Sequence, residues 1–372
     1  MGNRIDRKRL LQLRLANQLI EGDGQRGVAD VVSHLLAMQA QDFGQALWAI
    51  GLRAPGSTRA NVLKALSTGE LVRSWPMRGT LFFVRPADLR WMLALTSERT
   101  LASARTRHRQ LELDERTFSH ARDVALSVLE GRTEMGRNDF LSALEEAGIS
   151  TSGQRGYHII WQLAHTGTVC WGPPHGTQQA LVLLDEWVPA DRQLERDEAL
   201  REFALRYFVG HGPATLKDFA WWSKLTMEDA KTGLRLAREE LTELDFEDLS
   251  CWTGKQSADE MPPPDPVAVH ALPGFDEYLL GYQDRSYMLA PEYAGRVLPG
   301  KNGIFKPTMV GGGRVTGTWR RMKSKAGVTA RAEPFKEMTV GEAEAFAQSA
   351  KAYEWFMSAG DEGDEADGSG SK

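Results

Sequence analysis

Hydrophobic and polar positions along the chain follow an order that occurs three times. In the first passage, apolar residues at helical spacing predict three helices: 6–20, 28–39 and 57–69. Asp6 and Ser57 are suited to cap the first and third helices, and Gly69 to end the third. Two short strands, LVRSW and TLFFV, follow around the turn at 76–79. Three helices and a strand hairpin are the elements of a winged helix-turn-helix.

The same order returns twice. The second passage predicts helices over 117–130, 137–147 and 152–166, then the strands TVCWG and QALVLLDEW around the turn at 173–177. The third predicts helices over 195–209, 215–225 and 226–241, then strand material in LTELDFEDLSCW. Thr215 with Asp218, and Thr226 with Asp229, have the spacing of capping boxes. The repetition indicates three tandem winged-helix units.

The pattern changes after residue 253. The segment GKQSADEMPPPDP is polar and proline-rich, which is typical of a linker or long loop. Beyond it, four β-like runs are VAVHALP, YLLGY, GIFKPTMV and RVTGTWRRM, and the triple glycine 311–313 marks a hairpin turn. A last helix is predicted over 340–358.

These patterns predict a helix-rich α+β protein with an antiparallel β-rich C-terminal region. The predicted parts are winged-helix units at 1–112, 113–192 and 193–253, a linker at 254–266, a basic β-rich region at 267–358 and a disordered acidic tail at 359–372.

Composition excludes several classes of protein. Of the 372 residues, 42% are hydrophobic and 26% are charged, which is ordinary for a soluble globular protein. No apolar run approaches the roughly 18 residues of a membrane span, and the N-terminus lacks the apolar core of a signal peptide. The two cysteines, Cys170 and Cys251, form no metal-ligand spacing and are expected to be small buried hydrophobes. We expect a cytoplasmic protein.

The net charge of −5 conceals an uneven distribution. The segment 361–372 alone carries five acidic residues and one lysine, so the rest of the chain has a net charge of −1. Residues 293–332 contain nine lysines or arginines and no acidic residue, and 99–109 contain four arginines and a histidine. These stretches are either surfaces for a polyanion or ordinary solvated faces.

The common catalytic signatures are absent from the sequence, including GxSxG, HExxH and the P-loop. The segment 35–53 is nevertheless unusual, because Gln39, Gln41, Asp42 and Gln45 cluster among apolar residues where a helix is predicted to end. Buried amides need hydrogen-bond partners. The cluster therefore either caps the helix end and contacts solvent or forms a functional site.

Several motifs together resemble one family, the AlkZ-like DNA glycosylases. They are MQAQDFGQALWAIGLR, LVRSWPMRGTLFFVRPADLRWM, GHGPATLKDFAWWSKLT, PGFDEYLLGYQDRS and NGIFKPTMVGGGRVTGTWRR. The resemblance extends to about residue 350. It implies tandem winged-helix units that form a concave, DNA-sized channel, and hydrolysis of the N-glycosidic bond of alkylated purines, notably N7-alkylguanine. Some members of the family also release bulky adducts or interstrand crosslinks.

The resemblance also implies the catalytic residues. The family's motif is glutamine, a hydrophobic residue and glutamine, which matches Gln39-Ala40-Gln41. A sister group has aspartate in the second polar position, whereas here Asp42 comes one residue later. An N7-alkylated guanine is already cationic and needs no general acid to leave. Two amides that position a water molecule would then be sufficient.

Partners and cofactors follow from the same reading. We expect a monomer that binds double-stranded DNA with alkylated purines in the bacterial nucleoid, without a membrane, metal or organic cofactor. No lysine is placed as an evident Schiff-base nucleophile, so a monofunctional enzyme is expected. The candidates for DNA contact are Arg78, Arg314, Arg320 and Arg321. Each could instead be a solvated surface residue, and Arg78 could brace its turn.

Two other functions remain open from the sequence. A winged-helix transcriptional regulator would share the basic surfaces and lack enzymatic activity, although such regulators usually dimerise on two half-sites. A degenerate homologue could keep DNA binding alone. Three winged units in one chain and the amide cluster favour the glycosylase.

Overall fold

The computed structural model describes residues 4–22, 24–176, 178–188, 192–255, 267–300, 303–324 and 327–359. The predicted acidic tail, apart from residue 359, and the predicted linker, apart from residues 254 and 255, lie outside these described residues. Within the described ranges, none of the helices combines the length and the hydropathy that a membrane crossing requires.

The α-helices of the described residues have the following bounds: α1 Arg7–Asn17, α2 Val28–Leu35, α3 Phe43–Arg53, α4 Arg59–Ser67, α5 Pro86–Gln110, α6 Glu115–Leu129, α7 Arg137–Glu146, α8 Arg155–His165, α9 Leu184–Trp187, α10 Arg196–His211, α11 Leu216–Ser223, α12 Met227–Ala237, α13 Glu277–Leu280, α14 Ala294–Val297 and α15 Val340–Ser358.

The β-strands are β1 Arg4–Ile5, β2 Ala37–Gln39, β3 Val72–Met77, β4 Thr80–Val84, β5 Val169–His175, β6 Gln178–Leu183, β7 Leu241–Phe246, β8 Leu249–Gly254, β9 Val269–Leu272, β10 Thr308–Gly311, β11 Arg314–Ser324 and β12 Gly327–Pro334. Within the ranges that the structure describes, the segments Arg238–Glu240 and Pro291–Tyr293 are short 3-10 helices.

The chain divides into two compact units. The first unit comprises Met1–Lys64, Arg206–Phe219 and Arg238–Lys372, and the second comprises Ala65–Leu205 and Ala220–Ala237. The first contains a three-stranded sheet in the order β1-β7-β8 and an antiparallel four-stranded sheet in the order β12-β11-β10-β9. The predicted helix-rich α+β class with a C-terminal antiparallel sheet is therefore confirmed.

In the second unit the strands run in the order β4-β3-β5-β6. The two hairpins predicted as wings of successive passages thus share one sheet, through the pairing of Arg73 with Trp171. A hydrophobic core built around Phe140, Ile159 and Trp161 packs beneath these strands. The division of the chain into three winged-helix units stays a prediction.

Several local signals are confirmed by hydrogen bonds. The Asp6 side chain caps α1 by accepting from the Arg9 amide at 2.7 Å. The Thr215 hydroxyl accepts from the Asp218 amide at 3.1 Å, and Thr226 accepts from Asp229 at 3.0 Å, as the capping boxes predict. The glycine hairpin between β10 and β11 is also present, since Gly311 pairs with Arg314.

Other predicted elements were wrong in position or type. The cap of α4 is Thr58 and not the predicted Ser57, because the Thr58 hydroxyl accepts from the Asn61 backbone amide at 3.3 Å; α4 therefore begins one residue later than a cap at Ser57 would place it. The predicted strand YLLGY is the short helix α13, because the Asp276 side chain accepts from the Tyr278 amide at 2.8 Å and starts a helical turn. The last residues of QALVLLDEW form α9.

Sequence periodicity also missed three of the longer elements. The 25-residue helix α5 begins with Pro86, a residue suited to the first helical position, and carries the arginine-rich stretch 99–109. The helix α3 begins at Phe43, and strand β12 pairs with β11 along eight residues. Both cysteines are buried, as predicted, and neither forms a disulfide; burial raises the pKa of Cys170 to about 12 and that of Cys251 to about 11.

We expect acid to destabilise the protein through His165. Burial lowers the pKa of its imidazole to about 4, below the ordinary 6.5 of an unfolded chain. The unfolded state therefore binds more protons as the pH falls from about 6.5 towards 4, so the stabilisation present above 6.5 is lost in that window. Between pH 7 and 4.5 this loss amounts to about 2 kcal/mol.

Urea unfolding at both pH values, for wild type and His165→Gln, measures this term. The variant should lose about 2 kcal/mol less on acidification than wild type does. His120→Gln, on an exposed histidine of the same unit, is the matched control and should leave the pH dependence unchanged. An identical pH dependence for His165→Gln and wild type would contradict the expectation.

Candidate active site

The amide cluster lies where a strand, a short loop and a helix follow one another. Leu36 has a positive φ of 66°, a backbone conformation that no α-helix contains, so α2 ends at Leu35 and not at residue 39 as predicted. Gln39 consequently ends strand β2 and is partly buried, while Gln41 is exposed in the loop that follows. The structure thus places Gln41 at the surface of the first unit and Gln39 two positions before it, partly buried.

Asp42, the carboxylate that competes for a catalytic role, has a local structural function. It is the N-cap of α3, and its Oδ1 accepts from the Gln45 amide at 3.1 Å. The Gln45 side chain in turn accepts from the Gly274 amide at 2.8 Å. These two hydrogen bonds fix the C-terminal end of the loop that contains Gln41.

A buried carboxylate holds the loop from its N-terminal side. The backbone N–H of Gln39 donates to Oε1 of Glu277 at 2.9 Å, although the two residues are 238 positions apart in sequence. Glu277 is only 2% exposed, and its other oxygen lies 3.5 Å from Nε2 of the fully buried His211. Glu277 therefore fixes the backbone position of Gln39 from inside the core.

The neighbouring residue Asp276 anchors the same region by an ion pair. Its two carboxylate oxygens accept from Arg53 Nη2 at 2.7 Å and from Nη1 at 2.8 Å, a bidentate geometry. The Arg53 guanidinium also donates from Nε to the Gln18 carbonyl at 2.8 Å. Since Arg53 ends α3 and Asp276 begins α13, the pair joins the helix after Gln41 to the segment that holds Gln39.

Aromatic side chains pack beside α3. The ring centroids of Trp48 and Tyr353 are 5.3 Å apart. The indole N–H of Trp48 donates to the Ala271 carbonyl at 2.8 Å. Burial raises the pKa of the Tyr353 phenol, the nearby cation of Arg321 lowers it, and the carboxylate of Asp42 adds to the rise. Arg321 and Asp42 therefore both act on this phenol, and one of the predicted DNA-contact arginines lies close to the amide loop.

Sequence reasoning missed Glu277, His211, Arg53 and Asp276. A signal for all four existed, because each lies in a motif that carried the family resemblance: Arg53 in MQAQDFGQALWAIGLR, His211 in GHGPATLKDFAWWSKLT and the two carboxylates in PGFDEYLLGYQDRS. Periodicity could not assign them roles, since each acts on a residue far away in the chain.

The segment 32–356 matches the family described as DNA glycosylase AlkZ-like.

This chain belongs to that family. It is accordingly a DNA glycosylase of DNA repair, and DNA is its substrate. One relative is an interstrand DNA cross-link repair glycosylase of Streptomyces sahachiroi, which is 30% identical over an alignment of 332 residues; the alignment covers 85% of this chain and 88% of the relative. The solved structure of the Streptomyces sahachiroi DNA glycosylase AlkZ superposes with a TM-score of 0.78 and 24% identity, covering 94% of this chain and 96% of the other. That superposition shows the shared fold.

The remaining predicted DNA-contact residues of this AlkZ-like glycosylase have different surroundings. Arg314 is exposed at the start of β11, opposite Gly311 of the hairpin. Arg320 pairs with Glu333 at 3.1 Å, and this partner partly neutralises its charge. Because Arg320 and Arg321 are consecutive on β11, their side chains point to opposite faces of the strand.

Arg78 belongs to the second unit and has the features of a brace. It occupies the turn between β3 and β4 with a positive φ of 55°. Its guanidinium lies over the rings of Phe82, at 4.9 Å, and Trp221, at 5.4 Å. These cation–π contacts stabilise the turn.

Proposed function

We propose that this glycosylase hydrolyses the N-glycosidic bond of alkylated purines of the N7-alkylguanine type, without strand cleavage. The observation that carries the proposal is the Gln39-Ala40-Gln41 segment, with Gln41 exposed and Gln39 anchored to a buried carboxylate. A purine alkylated at N7 carries a positive charge, so its departure requires no acid. The protein then has to hold a water molecule and stabilise the cationic sugar.

The two glutamine amides are suited to the first task. Each amide offers an acceptor oxygen and a donor nitrogen, so a pair can hold a water molecule with its lone pair directed at the anomeric carbon. Asp42 is less suited to act as a base, because one of its oxygens caps α3. The Glu277 carboxylate is buried and accepts a hydrogen bond from the backbone N–H of Gln39. Its contribution to the reaction is therefore to position Gln39.

Release of the free base from a defined duplex tests this proposal. A duplex with one N7-methylguanine is incubated with the full chain, and released 7-methylguanine is measured by chromatography, with the strands checked for intactness. We expect base release and uncleaved strands. An undamaged duplex of the same sequence is the control, and absence of release from the damaged duplex would refute the substrate class.

Interstrand crosslinks and bulky adducts through N7 of guanine are further substrates in this proposal. The support is the relative whose name states interstrand cross-link repair, together with the same leaving-group chemistry at each crosslinked guanine. A duplex crosslinked through two N7 atoms should be converted to single strands on denaturing gels. Persistence of the crosslinked species, alongside release of 7-methylguanine, would restrict the activity to small adducts.

Glu277 is proposed as a positioning residue for Gln39. Glu277→Ala removes the carboxylate oxygen that accepts from the backbone N–H of Gln39. We expect the maximal excision rate to fall about 10- to 100-fold, while the KM for DNA changes little. Glu277→Gln keeps an oxygen at the same place and should restore most of the rate. A Glu277→Gln variant as slow as Glu277→Ala would show that the charge, and not the position, matters.

The basic β-rich region is the proposed DNA contact surface of the first unit. Its described basic residues include Arg314, Arg320 and Arg321, and Arg78 is the proposed contact of the second unit. Counterion release predicts that, if about five phosphates are neutralised, log K falls against log salt with a slope of about −4 to −5. Fluorescence anisotropy with an undamaged duplex at several salt concentrations measures this slope.

Arg314→Ala should make the slope less steep by about one, because one phosphate contact is lost. Arg7→Ala, which removes an arginine ion-paired with Glu247, serves as the control on an exposed cation outside the hairpin. An affinity that does not depend on salt, or tight binding to one palindromic sequence, would contradict the proposed surface.

We further propose that the enzyme acts as a monomer in the nucleoid of the bacterial cytoplasm.

A further inference from the structure

Exposed arginines lie along the C-terminal half of α5, in the stretch 99–109, which contains no acidic residue. They are Arg99, Arg105, Arg107 and Arg109. The stretch belongs to the second unit, whereas the glutamines of the candidate active site belong to the first. Catalysis at those glutamines therefore does not account for this concentration of positive charge.

These guanidinium groups have no carboxylate partner within the ranges that the structure describes. Arg99 donates to the Lys224 carbonyl at 3.2 Å. Arg107 donates to the Gln154 side chain at 2.7 Å. Arg105 forms neither a hydrogen bond nor an ion pair with a described residue. The charges of the stretch are therefore not neutralised by nearby acidic side chains.

The stability of α5 does not account for these charges either. The negative end of the helix dipole favours cations only in the last turn, which contains Arg107 and Arg109. Arg99 and Arg105 come before that turn. Arg105 and Arg109 are four positions apart, so their like charges repel each other across one helical turn. A polyanionic partner would offset this repulsion.

The spacing of the side chains fits the backbone of a DNA strand. Positions three and four apart lie on one side of a helix, so Arg99 and Arg109 share a side with Ala102 and Thr106, and Arg105 adjoins it. Ala102 and Thr106 are small and exposed, so they let a strand approach closely. Arg99 and Arg109 are ten positions apart, or about 15 Å along the helix. That length equals the rise of about four phosphates along one strand.

This side of α5 is close to the turn that contains Arg78. The Cζ atom of Arg78 lies 5.4 Å from the centroid of the Trp221 ring. Arg99 donates to the carbonyl of Lys224, three residues further along, and Lys224 is itself exposed. Arg78 and Arg99 therefore both contact the short segment 221–224, and the three cations adjoin one another in the second unit.

We propose that this side of α5 is a further DNA contact surface, which binds the sugar–phosphate backbone without reading the bases. The proposal rests on DNA being the substrate, and it extends to Arg99, Arg105 and Arg109 the contact proposed at Arg78. A guanidinium group can donate two parallel hydrogen bonds to one phosphate. Such contacts position a duplex and carry no sequence information, so the surface serves damaged and undamaged DNA alike.

The double variant Arg105→Gln/Arg109→Gln tests the proposal. Fluorescence anisotropy of the full chain with two undamaged duplexes of unrelated sequence, at several NaCl concentrations, measures the affinity. The slope of log K against log salt should become less steep by about two, because two phosphate contacts are lost. At about 0.1 M NaCl the Kd should rise about 10- to 100-fold, and equally for both duplexes.

The matched control removes the same amount of charge elsewhere. Arg7→Gln/Arg196→Gln replaces two exposed arginines that are already ion-paired, with Glu247 at 3.2 Å and with Asp229 at 2.7 Å. Its slope should equal that of wild type.

Two measurements separate a DNA contact from a structural role. Arg105→Lys/Arg109→Lys keeps both charges and should keep most of the slope, although lysine lacks the paired geometry of arginine. The Tm of Arg105→Gln/Arg109→Gln should be equal to that of wild type or slightly higher, because the repulsion between the two charges is removed.

Several results would overturn the proposal. A slope for Arg105→Gln/Arg109→Gln that equals wild type would identify the arginines as an ordinary solvated face. An equal change in the matched control would show that net charge, and not contact, determines the affinity. A loss confined to one duplex would indicate base reading. If Arg78→Ala alone left the slope unchanged while the α5 variant reduced it, only the contact at Arg78 would be refuted.

Discussion

Base excision is expected to slow about 100-fold when either Gln39 or Gln41 is replaced by alanine. A group that positions the reacting water and transfers a proton contributes about 10²–10⁴ in rate, and an amide cannot take the proton, so the lower end applies. DNA affinity and Tm should change little, because Gln41 is exposed and Gln39 is anchored through its backbone amide. Single-turnover release of 7-methylguanine measures the rate.

The matched control for this prediction is Asp42→Asn. Asparagine caps a helix as well as aspartate does, so this variant removes the carboxylate and keeps α3 in place. It should excise at nearly the wild-type rate. If Asp42→Asn abolished excision while both glutamine variants remained active, the neighbouring carboxylate would carry the chemistry.

The pH dependence of excision separates the two assignments further. An amide does not titrate, so the wild-type rate should show no limb from a catalytic carboxylate near pH 4–5. Gln41→Asp should retain appreciable activity, since a carboxylate still accepts a hydrogen bond from the water, and should acquire such an acid limb. Rates must be compared at pH values where the protein is folded, given the expected effect of His165.

The stability of the first unit is expected to fall by about 3–5 kcal/mol in Arg53→Met. Arg53 is fully buried, and its removal leaves the Asp276 carboxylate buried without its cation. Two hydrogen bonds to Asp276 and those to the Gln18 and Ala49 carbonyls are lost as well. Urea unfolding at pH 7 measures the loss.

Two variants define the origin of this effect. Adding Asp276→Asn to Arg53→Met removes the orphaned charge while keeping a side-chain oxygen for the cap of α13, and should recover a substantial part of the lost stability. Arg7→Met breaks the exposed pair with Glu247 and should cost less than about 1 kcal/mol. A loss of similar size for Arg7→Met and Arg53→Met would show that burial is not the cause.

Much of the secondary structure was determined by sequence alone, because its signals are local. The helix spacing over 340–358, the cap at Asp6 and the glycine hairpin each involve residues within a few positions of one another. The two candidate catalytic glutamines are also only two positions apart, so they could be recognised as a motif before any contact was known. Local physics is sufficient where the interacting groups are neighbours in the chain.

Only the tertiary structure decided how the pair is presented and held. Periodicity continues the second helix through Gln39, whereas the positive φ of Leu36 ends it and makes Gln39 the last residue of a strand. The carboxylate that anchors Gln39 comes from Glu277, 238 positions away. No short-range pattern encodes such a contact, because its free energy comes from burying both partners together in a core that exists only in the folded chain.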